Sequence, residues 1–298
     1  LRSLYDIEDE VIDFTYSDED FICSIGAITA VSIERTQLHE NIEQIFEGFL
    51  GSSIAAIDER DSVTSGHSRR VMGYAMAFVD EINKCSDGIF SKVVISEDRK
   101  RQFKFAALLH DIGKIGVPEG LLIKESRMNR GDFALILSRF DLVRFQFHIG
   151  YYSTGSWSSI EELERDRSFL EFINRVGYIN DRNLNKLQNL KEKIFIDSSG
   201  QKQPLLTEEE FLQLSIRKGN LTSSEREIIN SHAVSSNRIL SKIPWTPELE
   251  DIPIIASQHH EMVDGSGYPF GLAEEELSLE SMILAVVDIY DAIISQDR

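Results

Sequence analysis

The sequence predicts an all-α fold, with no internal repeat, on three observations. Apolar residues recur at spacings of three and four through most of the 298-residue chain. The period-2 alternation of half-buried strands is scarce. Capping residues stand just ahead of several of the apolar runs. With 42% apolar and 27% charged residues, the composition is that of an ordinary globular protein, and a chain this long buries a sizeable core without disulfides.

The elements follow in order. Residues 1–20 are acidic, and Ser17-Asp-Glu-Asp-Phe reads as a helix start, a capping residue followed by carboxylates that favour the positive end of the helix dipole. That helix is expected to run through Ile33 to about Ile57. Within it Leu38, Ile42, Ile45 and Phe49 recur at spacings of 4, 3 and 4, a short seam. Two readings stay open: a parallel stalk joining two copies of the chain, or one helix packing on its own domain. A second helix is expected over 63 to about 79. A third covers 98–110, with Phe103, Ala106, Ala107 and Leu108 apolar, and stops at Gly113. Residues 119–220 read as a mostly polar helical insertion, with Gly200 and Pro204 marking a loop near its end. Thr222 with Glu225 three residues later is a capping box, opening a helix that runs to Leu240. Pro244, Pro247 and Pro253 break the next stretch. Two further helices flank a glycine-rich loop at 265–271, the last over 280–296.

The formal net charge is −19. That excludes a broad electrostatic footprint on nucleic acid or anionic lipid, so neither a nucleic acid polymer nor a membrane is expected as a partner. A small anionic substrate is compatible with it, provided that metal ions or a few placed cations supply local positive charge. The two cysteines, Cys23 and Cys85, form no CxxC motif and no framework of pairs, which fits a reduced, cytoplasmic setting. The longest apolar run, around 21–33, is interrupted by Ser24, Gly26, Thr29 and Ser32 and is too short to span a bilayer. No secretory signal is present. The chain opens without Met and stops at Arg298 directly after a helical run, so it reads as a fragment of a larger protein.

Seven histidines are present. His39 on the first helix and His148 in the insertion read as surface or packing residues. His67, His110, His232, His259 and His260 each lie beside other ligand-type residues. His110-Asp111 closes an apolar helix and is followed by Gly113 and Lys114. His259-His260 is a doublet. Asp288 is flanked by Ala285, Val286, Val287 and Ile289, and a carboxylate in such a setting is costly to bury unless paired or bound to metal. Imidazole and carboxylate together suit iron, manganese and similar divalent ions, and one carboxylate can bridge two ions about 3.5–4 Å apart. No Ser/His/Asp triad, P-loop or dinucleotide-binding fingerprint competes.

Five blocks then occur in a fixed order: His67 within Thr64-Ser-Gly-His-Ser-Arg-Arg-Val; His110-Asp-Ile-Gly-Lys-Ile-Gly-Val-Pro; His232; His259-His-Glu-Met-Val-Asp-Gly-Ser-Gly-Tyr-Pro; and Asp288-Ile-Tyr-Asp-Ala. This pattern resembles the HD-GYP domain family, a branch of the HD superfamily, over about residues 55–298. The block ending in Gly-Tyr-Pro is highly specific to that branch. Residues 16–38 also resemble the final helix of a GAF sensor domain, a shorter and less specific match. On this resemblance the chain divides into a GAF-like sensor remnant and helical linker at 1–57 and an HD-GYP domain at 58–298, with an insertion at about 124–220. The fold is then an HD-superfamily helical bundle with an N-terminal stalk.

The resemblance implies a bacterial phosphodiesterase that hydrolyses cyclic di-GMP to pGpG, GMP or both, with water or hydroxide activated on a di-metal centre. It implies that His67, His110, Asp111 and Asp288 hold one ion, and that Asp111 bridges to a second held by His232, His259 and His260. The ions would be iron first and manganese second, with nickel or zinc compatible. Lys114 would neutralise a phosphate oxygen, and the 265–271 loop with Tyr268 would shape the mouth. Asp291 and Arg298 resemble positions near the guanine end or the phosphate. Some family members use a glutamate four residues before the first histidine to hold a third ion. Val63 stands there in this chain, and valine donates no electrons to a cation, so two ions are expected. Homodimerisation through the first helix and signalling protein partners complete the expectation. A related dinucleotide such as cyclic GMP-AMP is an alternative substrate. The competing readings are a mononucleotide phosphohydrolase, opposed by the intact Gly-Tyr-Pro block, and a catalytically silent binding module, opposed by the complete ligand set.

Overall fold

The computed structural model describes residues 14–60, 66–150 and 155–295. The chain forms two compact units that divide between Ala56 and Ile57. The described residues of the first unit from Tyr16 onward lie in one long helix, α1 (Tyr16–Arg60). Its cap falls at Thr15 rather than Ser17: the Asp18 amide donates to Thr15 Oγ1 at 3.3 Å, and the Thr15 amide donates to Asp18 Oδ2 at 2.8 Å. Ile25, Ile28, Leu38, Ile42, Ile45 and Phe49 are exposed along it.

The second unit is helical and opens with α2 (His67–Lys84), whose inner face carries Val71, Ala75, Val79 and Ile82 at helical spacing. This helix begins at His67 itself, four residues later than the sequence suggests; Val63 lies outside the described residues. α3 (Glu97–Leu109) is capped by Ser96, which accepts from the Arg99 amide at 3.3 Å. Phe103, Phe105, Ala106, Ala107 and Leu109 bury α3 against α2 on one side. The chain then tightens into a short 3-10 turn, Ile112–Gly116.

The insertion is a folded layer with a core of its own. After the short α4 (Glu119–Leu122), the helices α5 (Arg130–His148), α6 (Ile160–Arg175), α7 (Asp181–Lys191) and α8 (Glu208–Leu214) carry a contiguous cluster that includes Ile136, Phe140, Leu163, Leu170, Ile173 and Leu187. Arg127 is 1% exposed, and its guanidinium donates to the carbonyls of Ile173, Val176 and Ile216. A buried cation is tolerable there because carbonyl oxygens accept its N–H groups. One antiparallel hairpin interrupts the helices: β1 (Ile194–Ile196) pairs with β2 (Lys202–Pro204). Strands of three residues are too short to register as alternation, which is why the sequence reading contains none.

α9 (Ser223–Leu240) starts at the expected capping box, with Thr222 and Glu225 bonded reciprocally. α10 (Ile252–Ser257) and α11 (Leu279–Ile294) follow. α10 packs on α3, α9 and α11, and α11 packs on α2. The second unit is therefore an all-α bundle. Among the described residues no helix is long and apolar enough to cross a membrane.

Candidate metal centre

Five elements deliver the ligand-type side chains to one buried spot. His67 is the first residue of α2. His110 caps the C-terminus of α3, and Asp111 follows it as the chain leaves the helix. His232 lies on the buried face of α9. His259 and His260 follow α10, and Asp288 stands on the buried face of α11. Ser236, one turn beyond His232, joins two of these elements: its hydroxyl donates to the His110 carbonyl at 2.6 Å and accepts from the Gly113 amide at 2.9 Å.

The donor atoms form two groups. His67, His110 and Asp111 offer atoms within 4.8 Å of one another, as do His232, His259 and His260. Asp111 lies between them. Its Oδ2 is 3.4 Å from His110 Nε2 and 4.0 Å from His67 Nε2. Its Oδ1 is 3.3 Å from His232 Nε2 and 3.9 Å from His259 Nε2. Asp288 spans them too, with Oδ1 2.9 Å from His67 Nε2 and Oδ2 3.7 Å from His260 Nδ1.

Hydrogen bonds fix which ring nitrogen is available. In His110, His232 and His259 the Nδ1–H donates to the carbonyl three residues back, of Ala107, Ile229 and Ala256, at 2.7–2.8 Å. A carbonyl only accepts, so in the neutral ring Nε2 presents a lone pair. His232 Nε2 and His259 Nε2 nonetheless lie 3.1 Å apart. His110 Nε2 is buried with no hydrogen-bond partner among the described residues. Lone pairs converging on a carboxylate in a dry site are unfavourable alone and are the donor set a divalent cation requires. The residues present therefore fit a metal centre.

The local electrostatics agree. Burial pushes the imidazoles of His232 and His259 below their ordinary range, His259 well below it, and that of His260 to about 4. All three imidazoles are neutral near neutral pH, the form in which a ring nitrogen can bind a cation. At Asp111 burial opposes ionisation, but Lys114, His110 and His232 outweigh it and hold the carboxyl well below its usual range. At His110 burial opposes the charged ring, and Asp111 and Asp288 raise it. Lys114 Nζ sits 2.9 Å from Asp111 Oδ2.

The loop at 265–271 closes over one side. Tyr268 lies against His260, ring centroids 4.7 Å apart, and its amide donates to the His260 carbonyl at 3.1 Å. Burial, with Asp288 and Asp111 behind it, raises the Tyr268 phenol and keeps its proton in place. Glu261, 2% exposed, holds the loop: its two oxygens accept from the Phe270 and Leu272 amides at 2.6 and 3.0 Å. Gly267 passes so close that a Cβ there would fall 2.5 Å from Glu261 Cα, and glycine fits because it has none.

Asp291 is placed differently from the expectation that it meets substrate. It is 1% exposed and stands behind His67, accepting from His67 Nδ1–H at 2.7 Å and from Arg70 at 2.9 and 3.0 Å. A carboxylate with its oxygens so engaged does not face the mouth. Arg298 lies outside the described residues. Arg70, Ser236 and Glu261 are contributors that the sequence reading missed. Each is a few positions from a histidine, at helical spacing for Arg70 and Ser236, but nothing in the sequence gives their partners.

An all-helical bundle with paired His/Asp clusters at its centre defines the class of a metal-binding helical domain. Two sequence profiles, each described as an HD domain, match residues 64–190 and 208–298. The chain belongs to the HD domain family, and its ordered blocks are those of the HD-GYP branch. Such a domain implies a divalent metal centre. Among its relatives are the "Cyclic di-GMP phosphodiesterase" of Thermotoga maritima, 42% identical over 84 residues, and the "Cyclic di-GMP phosphodiesterase response regulator RpfG" of Xanthomonas campestris, 38% over 80. The "3'3'-cGAMP-specific phosphodiesterase 3" of Vibrio cholerae is 34% identical over 77 residues. These matches cover 28%, 27% and 26% of this chain and 23%, 21% and 16% of the relatives, so the matched part is a quarter or less of each.

Proposed function

We propose that this chain is a metal-dependent phosphodiesterase domain that hydrolyses cyclic di-GMP to pGpG, GMP or both. The observation that carries the reading is Asp111, whose two oxygens face two separate imidazole groups, the arrangement of a carboxylate that bridges two cations. His67, His110, Asp111 and Asp288 would hold one ion, and Asp111, His232, His259 and His260 the other, with iron the first choice and manganese the second. Ions bound there supply Lewis-acid charge that activates water near neutral pH and stabilises developing charge on phosphoryl oxygens.

The chain's own residues do the rest. Lys114, beside Asp111 and only 14% exposed, is the cation positioned for a non-bridging phosphate oxygen. Tyr268 offers a protonated hydroxyl at the mouth. Burial of His110, His232 and His259 keeps bulk solvent from competing for their ring nitrogens. The relatives support the substrate class, and the cyclic GMP-AMP enzyme among them makes that dinucleotide the second substrate to assay. We assign residues 58–298 to this domain and residues 1–57 to a sensor remnant and linker whose exposed seam joins two copies in the cytoplasm.

The test is Asp111→Asn. A neutral amide cannot bridge two cations, so turnover of cyclic di-GMP should vanish and bound metal should fall while the circular dichroism spectrum is unchanged. Full turnover in a folded Asp111→Asn protein would refute the assignment.

A further inference from the structure

The two halves of the cluster differ in a way that the family pattern does not convey. His110, His232 and His259 each give their Nδ1–H to a backbone carbonyl three residues back. His67 alone gives it to a carboxylate, Asp291 Oδ2 at 2.7 Å. That carboxylate is fixed in turn, because Arg70 Nε donates to Oδ1 at 2.9 Å and Arg70 Nη2 to Oδ2 at 3.0 Å. A charged acceptor behind an imidazole makes the opposite nitrogen a stronger donor and locks the ring's orientation. The side containing His67 also has Asp288 Oδ1 at 2.9 Å and Asp111 Oδ2 within 4.0 Å. The His232, His259 and His260 side has three neutral imidazoles; its nearest carboxylate contact is Asp111 Oδ1, 3.3 Å from His232 Nε2.

We infer that Asp291, held by Arg70, is a positioning residue that makes the His67 side the tight ion site and leaves the three-imidazole side the labile one. This rests on the metal-centre reading above and deepens it. Ions load first beside His67 and exchange first beside His260. Asp291 acts through His67 and does not touch substrate.

The experiment uses the full chain and Mn²⁺ as the probe. Competitive chelator titration of the ion-free wild type should resolve two phases of unequal affinity. Asp291→Asn keeps the shape and a hydrogen-bond acceptor but removes the charge. It should weaken the tighter phase by about 10- to 100-fold and leave the weaker phase in place. Arg70→Lys, which keeps charge but drops the fork, should weaken the same phase by less. A plain structural staple between α2 and α11 would instead lower thermal stability with both affinities unchanged, and that result overturns the inference. Anomalous diffraction from wild type at one equivalent of Mn²⁺ needs no variant: density beside His67 supports the inference, and density shared equally or lying beside His260 overturns it. If the wild type takes up no divalent ion, the metal-centre reading fails as well. Two ions of equal affinity would sink the inference and leave that reading standing.

Discussion

Gly113→Ala tests the packing that brings the two halves of the site together. The added methyl would fall 1.9 Å from the His232 carbonyl oxygen, 2.6 Å from the Ser236 nitrogen and 2.8 Å from the His232 carbonyl carbon. Ordinary contact begins near 3.4 Å, so α9 would have to retreat by about 1.5 Å from a close-packed neighbour. No flexible side-chain end can yield, since every obstacle is helix backbone. Overpacking of this kind costs about 1–3 kcal/mol, and a backbone obstacle places it at the upper end. At about 2–4 °C per kcal/mol for a domain of this size, the melting temperature should fall by about 6–12 °C. The same retreat draws His232 from Asp111, 3.3 Å away, and Ser236 from its bonds to His110 and Gly113. Gly116→Ala is the matched control in the same turn, because its methyl would meet only Ser235 Oγ at 3.9 Å. Thermal melts on ion-free protein remove ligand linkage from the comparison, and elemental analysis then reads ion content. A Gly113→Ala protein that melts with wild type and retains both ions would refute the packing argument.

Three further outcomes are expected. Lys114→Ala should depress turnover and raise KM far more than it lowers bound metal; metal lost in proportion to activity would show a structural role instead. Glu261→Gln offers only one oxygen to the two loop amides it now satisfies, a loss of about 1.4 kcal/mol that should appear as a roughly tenfold higher KM with unchanged ion content; unchanged steady-state kinetics would contradict the loop-holding role. If the exposed seam of α1 joins two copies, the wild type should scatter light as a dimer and Ile42→Asp with Phe49→Asp should weaken it, whereas a wild type that stays monomeric at high concentration refutes the seam.

Much of the bundle was legible because its signals are local. Thr222 caps its helix by bonding within three residues, and the apolar residues of α2 and α3 repeat at helical spacing, so sequence alone finds them. The side chains that converge at the candidate site were legible because few residue types suit a divalent ion, and an Asp within an apolar helix such as Asp288 asks for a partner. What escaped depends on contacts between distant segments. Arg70 meets Asp291 across 221 positions, and Ser236 meets His110 across 126; neither residue type announces its partner. Asp291 shows the same limit from the other side. It sits one turn from Asp288 on α11 and shares its face, which sequence can tell, but whether that face meets a substrate or a histidine is decided by α2 packing against α11. The insertion looked polar because its apolar residues are spread over four helices, a hairpin and the segments between them, and they converge only on folding.

The charge balance of the site returns to the inference drawn from the net charge of −19. Three carboxylates, Asp111, Asp288 and Asp291, lie in or behind the cluster, and burial keeps the imidazoles of His232, His259 and His260 neutral. Arg70 is engaged with Asp291, and Lys114 contacts Asp111 at 2.9 Å. The cations in contact with these carboxylates, Arg70 and Lys114, number fewer than the carboxylates themselves. On the proposed function, divalent ions held by the cluster would supply the charge that attracts a dinucleotide and would give Asp111 partners other than the Lys114 ammonium. The depressed pKa of Asp111 keeps it ionised for that exchange. On that reading Lys114, now 2.9 Å from Asp111 Oδ2, would serve two anions in turn, the carboxylate and then a phosphate. The His-Asp-Ile-Gly-Lys block therefore works as one unit: Asp111 between the two histidine groups, Gly113 allowing α9 to close on it, and Lys114 within reach of both charges.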